Sequence, residues 1–476
     1  MSNRVLLFLV LIVCLIGLNA IAAIGGPVLP IFLLIAAGFS AFHTFWLFMA
    51  QEVDLHANRR EVFERLLRRP VLATRRNARA FLTVGKRSQQ QAMPPAVDVA
   101  HVPTVVPPSW QPQVSVVVPA KNESLVIETT IRHLFNFDYP NFEVIVIDDA
   151  SDDATPQILA RLKDEFTDLH VLRLAKGHPA GKSFVLNEAL SYCHGEVVAV
   201  FDADAVVNPE FLTDMLVQLE PAHVGAVQAQ KRISNAQTNL LTKCQDYEYA
   251  LDTSLQGGRN TLGGVSELRG NGQLIKMSAL KAVGGWNNES ITDDIDMTMK
   301  LLQIGLRVEF TSRAVVWEEG IADVKGLFRQ RTRWAEGSVR RFLDYLVPLT
   351  LSNKLNIRQR YDMTGFAIQF VWPLCTAFGI FNEMNHAVSG EQTYVKLLLA
   401  AFCSCGINVF FYIFWSIRTH RSPVTFAEAF KGAFATAIYF FALWCPCMLI
   451  SLYKVLSQKK ASSWALTQHG SPATLA

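Results

Sequence analysis

Apolar, β-branched runs alternate along this chain with longer segments whose apolar positions recur every three or four residues. The runs at 114–118, 143–147, 170–174, 197–201 and 224–231 read as strands. Helical spacing marks 124–135, 155–166, a segment from the Gly181-Lys182 pair through Leu190, 211–219 and 235–256. It returns in a helix starting near Asp293, with Ile295, Met299 and Leu302 on one side, and again at 326–344. Strands alternating with helices predict a parallel α/β sheet. Three strands end in polar loops or acids: the first in Pro119 to Glu123, the second in Asp148-Asp149, and the run 197–201 in Asp202-Ala203-Asp204. In a parallel sheet these ends share one edge, which is where ligands bind.

Outside this block the pattern changes to unbroken apolar stretches at 5–24, 27–50, 364–381, 395–416 and 432–453. Each is about the ~20 residues that a helix needs to cross a bilayer. The first lacks a strongly basic leader and a second follows at once, which favours two membrane helices over a cleaved signal. The expected organisation is two N-terminal membrane helices in 1–50, then a basic amphipathic segment with a proline-rich linker in 51–112. A soluble α/β domain at 113–349, about three more membrane helices in 350–456 and a tail at 457–476 complete it.

Composition agrees, with 50% hydrophobic and 18% charged residues over 476 positions. Arginines at 59, 60, 65, 68, 69, 75, 76 and 79 follow the second span and place the soluble domain in the cytoplasm. The protein is therefore expected to be a multi-pass integral membrane protein. The same basic segment suits an anionic membrane surface equally well. A fifth crossing puts Lys454, Lys459 and Lys460 outside, whereas a break at Pro446 lets that segment re-enter. A net charge of +3 is too small to imply a nucleic-acid partner. The eight cysteines show no metal-ligand spacing and read as small buried hydrophobes.

Several motifs carry candidate chemistry. Asp202 and Asp204 at a strand end suit a divalent cation on a diphosphate, since Mg²⁺ takes one or two carboxylates and fills its shell with phosphate and water. A plain polar turn is the other reading. Gly177 to Ser183 has three residues between its glycines where the nucleotide-triphosphatase loop has four, so that register fails. Lys182 can still meet a diphosphate at a helix start, or be an ordinary exposed lysine. The glycine-rich stretch 268–273 reads as the floor of an acceptor site or as a surface loop. Thr292-Asp293-Asp294-Ile295-Asp296 opens a helix, and capping accounts for one acid but not three. A carboxylate crowded by others has its pKa raised, as suits a general base. On the last helix Gln330, Arg333 and Trp334 share a face at i, i+3 and i+4, suited to phosphate and a sugar or lipid headgroup. An amphipathic helix gripping the membrane surface uses the same residues.

Taken in order, Asn122-Glu123, Asp148-Asp149-x-Ser151, Gly181-Lys182 with Leu186-Asn187, Asp202-x-Asp204, Thr292-Asp293-Asp294 and Gln330-x-x-Arg333-Trp334 resemble the membrane-embedded family 2 glycosyltransferases. That family includes cellulose, chitin and hyaluronan synthases. Within it, Glu267-Leu-Arg269-Gly-Asn-Gly-Gln273, Gly285-Trp286-Asn287, Asp293 in the usual Thr-Glu-Asp and Arg333-Trp-Ala-Glu-Gly337 look most like the cyanobacterial glucosyldiacylglycerol synthases. The resemblance implies an α/β GT-A, Rossmann-like domain flanked by transmembrane helices. It implies that Asn122, Glu123, Asp148 and Asp149 meet the uridine of a UDP-sugar. Asp204, helped by Asp202, would hold Mg²⁺ or Mn²⁺, with Lys182 and Arg333 on the diphosphate. Asp294 would be the catalytic base, and Asp293, Gln330 and Trp334 would meet the acceptor. The implied reaction is inverting transfer of glucose to diacylglycerol in the bilayer. The alternatives are a processive polysaccharide synthase and, from another class, a membrane-anchored nucleotide hydrolase.

Overall fold

The computed structural model describes residues 47–51, 110–363 and 407–457. The expected spans at 5–24 and 364–381, most of those at 27–50 and 395–416, the basic segment and the tail after 457 lie outside the described residues.

The sheet begins with β1 (Val114–Ala120), β2 (Phe142–Asp148), β3 (Leu169–Arg173) and β4 (Val197–Val200). β1 pairs in parallel with β2 and β4, and β2 in parallel with β3. β1, β2 and β4 are buried on both faces, which is why they read as apolar runs rather than alternating ones, whereas the edge strand β3 is partly exposed. Beyond β4 the sheet is mixed rather than wholly parallel. β5 (Val206–Val207), β6 (Val224–Ile233), β7 (Gln273–Lys276) and β8 (Arg307–Glu318) complete the order β3-β2-β1-β4-β7-β6-β8-β5. β7 runs antiparallel to both β4 and β6, and β5 antiparallel to β8, although β6 and β8 still pair in parallel. β7, of which only Gln273 falls within the glycine-rich stretch, is not predicted as a strand from the sequence. With only four residues, it lacks a periodicity that local pattern can register.

Helices cover both faces. α1 (Ile127–Leu134), α2 (Thr155–Glu165) and α4 (Phe211–Leu219) pack on one side against Val116, Val146 and Phe201. On the other, α3 (Lys182–Leu190), α6 (Met277–Ala282) and α7 (Asp293–Gln303) cover Val117, Ile145 and Val200. α5 (Leu240–Leu262) starts later than the apolar spacing suggests. Asn239 accepts the Thr242 N–H at 2.9 Å while the Thr242 hydroxyl accepts the Asn239 N–H at 3.2 Å, a reciprocal cap. It ends at Gly263 with φ +71°, a left-handed stop.

α8 (Val324–Thr350) is capped by Asp323, whose carboxylate accepts the Gly326 N–H at 2.7 Å. Near the C-terminus, α9 (Phe426–Tyr439), a π-helical stretch Phe440–Trp444 and α10 (Cys445–Ser457) form one unbroken helix. Pro446 does not break it. Proline has no N–H for the carbonyl four residues back, and the wider π turn just before it absorbs the lost bond. This 32-residue helix is long and apolar enough to cross a membrane. One side is committed to the domain, with Met448, Leu452 and Val455 on Ala335, Val339 and Leu343 of α8, and Tyr439, Leu443 and Cys447 against Cys244 and Leu327.

The N-terminal helical residues 47–51 press on α5 at Gly258, where an added Cβ would stand 2.2 Å from the Leu47 carbonyl oxygen. At Gly257 the nearest atoms belong instead to the flexible Gln51 side chain, 3.1 Å away. Gly258→Ala is therefore expected to cost about 1–3 kcal/mol, as overpacking does. Gly257→Ala should cost clearly less. Thermal unfolding in detergent checks this, and equal melting temperatures for the two variants would count against the contact.

Candidate active site

The ends of β1 and β2 clamp one another. The Asn122 N–H donates to Ser151 Oγ at 2.9 Å, and the Asp152 N–H donates back to Asn122 Oδ1 at 2.8 Å. The Glu123 N–H donates to Thr155 Oγ1 at 2.9 Å. Asn122 and Ala150 both take positive φ, 56° and 51°, so the two loops curl toward each other. Asp148 is buried; one oxygen accepts the Ser151 N–H at 3.0 Å and the other lies 3.2 Å from Arg173 Nε. Asp149, also buried, pairs with Lys121 at 3.1 Å and His178 Nε2 at 2.6 Å. Asn122, Glu123, Asp148 and Asp149 thus meet as the sequence suggests. His178 was missed. It belongs to the Gly177 to Ser183 loop and stacks on Phe184, with ring centroids 5.2 Å apart.

A second cluster sits at the end of β4. Lys182 is not an ordinary exposed lysine: its ammonium is 2.5 Å from Asp202 Oδ1, donates to the Gly270 carbonyl at 3.4 Å, and its side chain is 12% exposed. Asp202 donates its N–H to Asn271 Oδ1 at 3.2 Å, and Asp204 Oδ2 accepts the Glu319 N–H at 2.7 Å. The glycine-rich stretch is the floor of this cluster rather than a surface loop. Gly270 has φ +80°, and a Cβ there would stand 3.4 Å from Asp294 Oδ2 and 3.9 Å from Lys182 Nζ. The left-handed φ is what favours glycine there, since a Cβ at those distances would make ordinary contacts.

The first turn of α7 brings in the acids at 293 and 294. Thr292 at the N-cap makes no side-chain capping bond, so the helix start does not use the threonine hydroxyl. Asp294 Oδ1 accepts the Ile295 N–H at 2.8 Å. Asp293 Oδ2 is buried with no hydrogen-bond partner, which is costly unless a ligand group meets it. Burial, then the charge of Asp293, push the Asp294 carboxyl up to about 6, against the opposing pull of Ile295 N–H, Arg269 and Lys182. Arg269 is itself held by Asp252 at 2.9 Å and Glu267 at 2.8 Å. Arg333 donates to the Ile291 carbonyl at 3.3 Å and feels the charges of Asp293, Asp294 and Asp202. Asp202, Asp293, Asp294, Lys182 and Arg333 therefore form one electrostatic cluster.

The expected common face of Gln330, Arg333 and Trp334 divides. Arg333 faces the acids. The Trp334 ring lies between two cations, with Arg331 4.2 Å and Lys231 5.8 Å from its centroid. Gln330 Oε1 accepts from Arg331 at 2.5 Å. Lys231 escaped the sequence reading because it was counted into an apolar strand, although a lysine there is itself a signal. It pairs with Glu318 at 2.8 Å, and Glu318 accepts from Asn271 at 3.1 Å and from the Tyr249 hydroxyl.

For a cation the donors are sparse. Among the described residues no group of three or more His, Cys, Asp or Glu is arranged to hold a metal ion. The Asp202 and Asp204 pair nonetheless fits Mg²⁺ or Mn²⁺, because such ions take one or two carboxylates and complete their shell with substrate phosphate and water.

Residues 112–337 match the profile described as glycosyltransferase like family 2. A β-monoglucosyldiacylglycerol synthase of Trichormus variabilis is 45% identical over 54% of this chain and 55% of its own length. The probable glycosyltransferase YdaM of Bacillus subtilis is 30% identical over 62% of this chain and 71% of its own. The chain thus spans about half the length of the synthase it matches and more of the Bacillus protein. Among solved structures, mannosyltransferase PcManGT from Pyrobaculum calidifontis, in complex with GDP-Man and Mn²⁺, aligns with a TM-score of 0.54 at 19% identity. That alignment covers 91% of this chain and all of the other, a likeness of GT-A fold. By this profile match and these relatives, the chain belongs to the family 2 glycosyltransferases.

Proposed function

We propose that this protein transfers glucose from UDP-glucose to the free hydroxyl of 1,2-diacylglycerol with inversion, giving a β-glycosyl glycolipid. The observation that carries this reading is the gathering of a raised-pKa carboxyl, Asp294, with Asp202, Lys182 and Arg333 at the carboxyl edge of the sheet. The synthase named above supplies the sugar and the lipid.

In this reading Asn122, Glu123, Asp148 and Asp149 receive the uridine. Asp202 and Asp204 would hold a divalent cation, which neutralises diphosphate charge when bound. Lys182 and Arg333 donate to the departing diphosphate and favour its departure by meeting negative charge as it develops. Asp294 removes the proton from the acceptor hydroxyl as that oxygen attacks the anomeric carbon from the face opposite UDP. Asp293 raises the basicity of Asp294 and meets the acceptor through its unpartnered oxygen, and Gln330 and Trp334 are kept as acceptor contacts from their separate positions.

The arginines between 59 and 79 support a cytoplasmic domain, and the 32-residue C-terminal helix supports membrane association. We retain the reading of a multi-pass protein, with helices in 1–50 and 350–456 enclosing the domain at 113–349.

Purified protein in detergent, given diacylglycerol and radiolabelled UDP-glucose, should yield a lipid bearing one sugar. A water-soluble polymer instead would transfer the assignment to a processive synthase. Asp294→Asn is expected to slow turnover by at least ~10²-fold, the usual contribution of a general base, while calorimetric binding of UDP survives. The pH profile carries a sign. The base works as the carboxylate, so kcat/KM should fall below about pH 6, where Asp294 gains its proton. Removing a neighbouring negative charge makes that proton easier to lose. Asp293→Asn should therefore move the acid limb to lower pH, and a limb that stays put would remove Asp293 from this role.

A further inference from the structure

The basic group against Trp334 is Arg331, which the motif spacing passes over. Arg331 is 1% exposed, and its guanidinium meets Gln330, Glu248, Trp334 and, at 5.8 Å from the ring centroid, Trp444. One nitrogen donates to Gln330 Oε1, another to Glu248 Oε2 at 2.8 Å, and Cζ lies over the Trp334 ring, 4.2 Å from its centroid. Glu248 is equally committed. Its Oε2 also accepts the Tyr439 hydroxyl at 2.7 Å, and its Oε1 accepts Trp444 Nε1 at 2.9 Å. One carboxylate on α5 therefore collects donors from α8, from α9 and from the π-helical stretch.

We infer that Glu248 and Arg331 are positioning residues, which seat Trp334 at the acceptor end of the site and tie that seating to the C-terminal apolar helix. The inference rests on the reading of Trp334 as an acceptor-side residue. The ring of Trp334 has Lys231 near its centroid as well, and Lys231 leads through Glu318 and Asn271 to the Asp202 backbone. The seat is therefore part of a continuous polar chain from the C-terminal helix to the acidic strand. A fork of donors is required at 331, because a single ammonium can supply the charge but cannot bond Glu248 and Gln330 in this geometry while also covering the indole. The alternative is that the buried pair merely welds α5 to α8. That predicts a general loss of stability with no bias between the two substrates.

The test is Arg331→Lys, with Tyr439→Phe and Trp444→Phe as milder changes on the far helix, each made in the full chain. KM and kcat are measured for the acceptor and for UDP-glucose, together with UDP affinity by calorimetry and thermal unfolding. Arg331→Lys is expected to raise the acceptor KM about tenfold, the scale of one desolvated cation–π contact, with UDP affinity unchanged. Trp444→Phe and Tyr439→Phe should move the same constant in the same direction by less. Acceptor KM and UDP affinity that worsen together in step with a falling melting temperature would overturn the inference, as would an unchanged acceptor KM. If the protein proves to use another acceptor, the diacylglycerol assignment fails, yet the split is read just as well against the acceptor it does use.

Discussion

Three carboxylates cannot be gathered in a cleft without cations to hold them there. At an effective dielectric near 20, two like charges about 4 Å apart repel by about 4 kcal/mol. Here Asp202, Asp293 and Asp294 converge from a strand end and a helix start, and Lys182, Arg269 and Arg333 are set among them. Much of the architecture can be read as delivery of these groups. β4 ends two residues before Asp202, α3 begins at Lys182, α7 begins at Asp293, and the Gly270 turn lets Lys182 and Asp294 approach across it. The balance is incomplete: Asp294 keeps a raised pKa because burial and Asp293 outweigh the neighbouring cations.

The second organising contact lies between the domain and its C-terminal helix. Buried ion pairs add little net stability, but losing one partner costs about 3–5 kcal/mol. Such contacts specify an arrangement more than they strengthen it. Lys454 with Glu336, and Tyr439 and Trp444 on the Glu248 carboxylate that Arg331 also holds, cross this boundary. They commit one side of an otherwise apolar helix to the domain, and Tyr247 closing against Gly432 tightens the same contact. The chemistry and the apolar helix therefore belong to one packed unit.

By itself the sequence determined whatever rests on local periodicity and on short motifs. Strands β1, β2 and β4 were legible because burial on both faces leaves Val- and Ile-rich runs, and β3, at the sheet edge, by its shorter Val-Leu core. Acids at the ends of two of them were legible as a site because parallel strands share an edge. The family 2 resemblance and the order of its motifs came from the same local information. Only the tertiary structure decided which partner each polar side chain meets. The short antiparallel β7 takes its place between β4 and β6 through long-range hydrogen bonds that four residues cannot advertise. Lys231 and Arg331 looked like ordinary charges because their partners, Glu318 and Glu248, are 87 and 83 positions away. Helical spacing put Gln330 with Arg333 and Trp334, yet packing against α5 turned the buried side of α8 toward Arg331. Contacts between residues distant along the chain depend on how whole elements stack, and no local pattern records that.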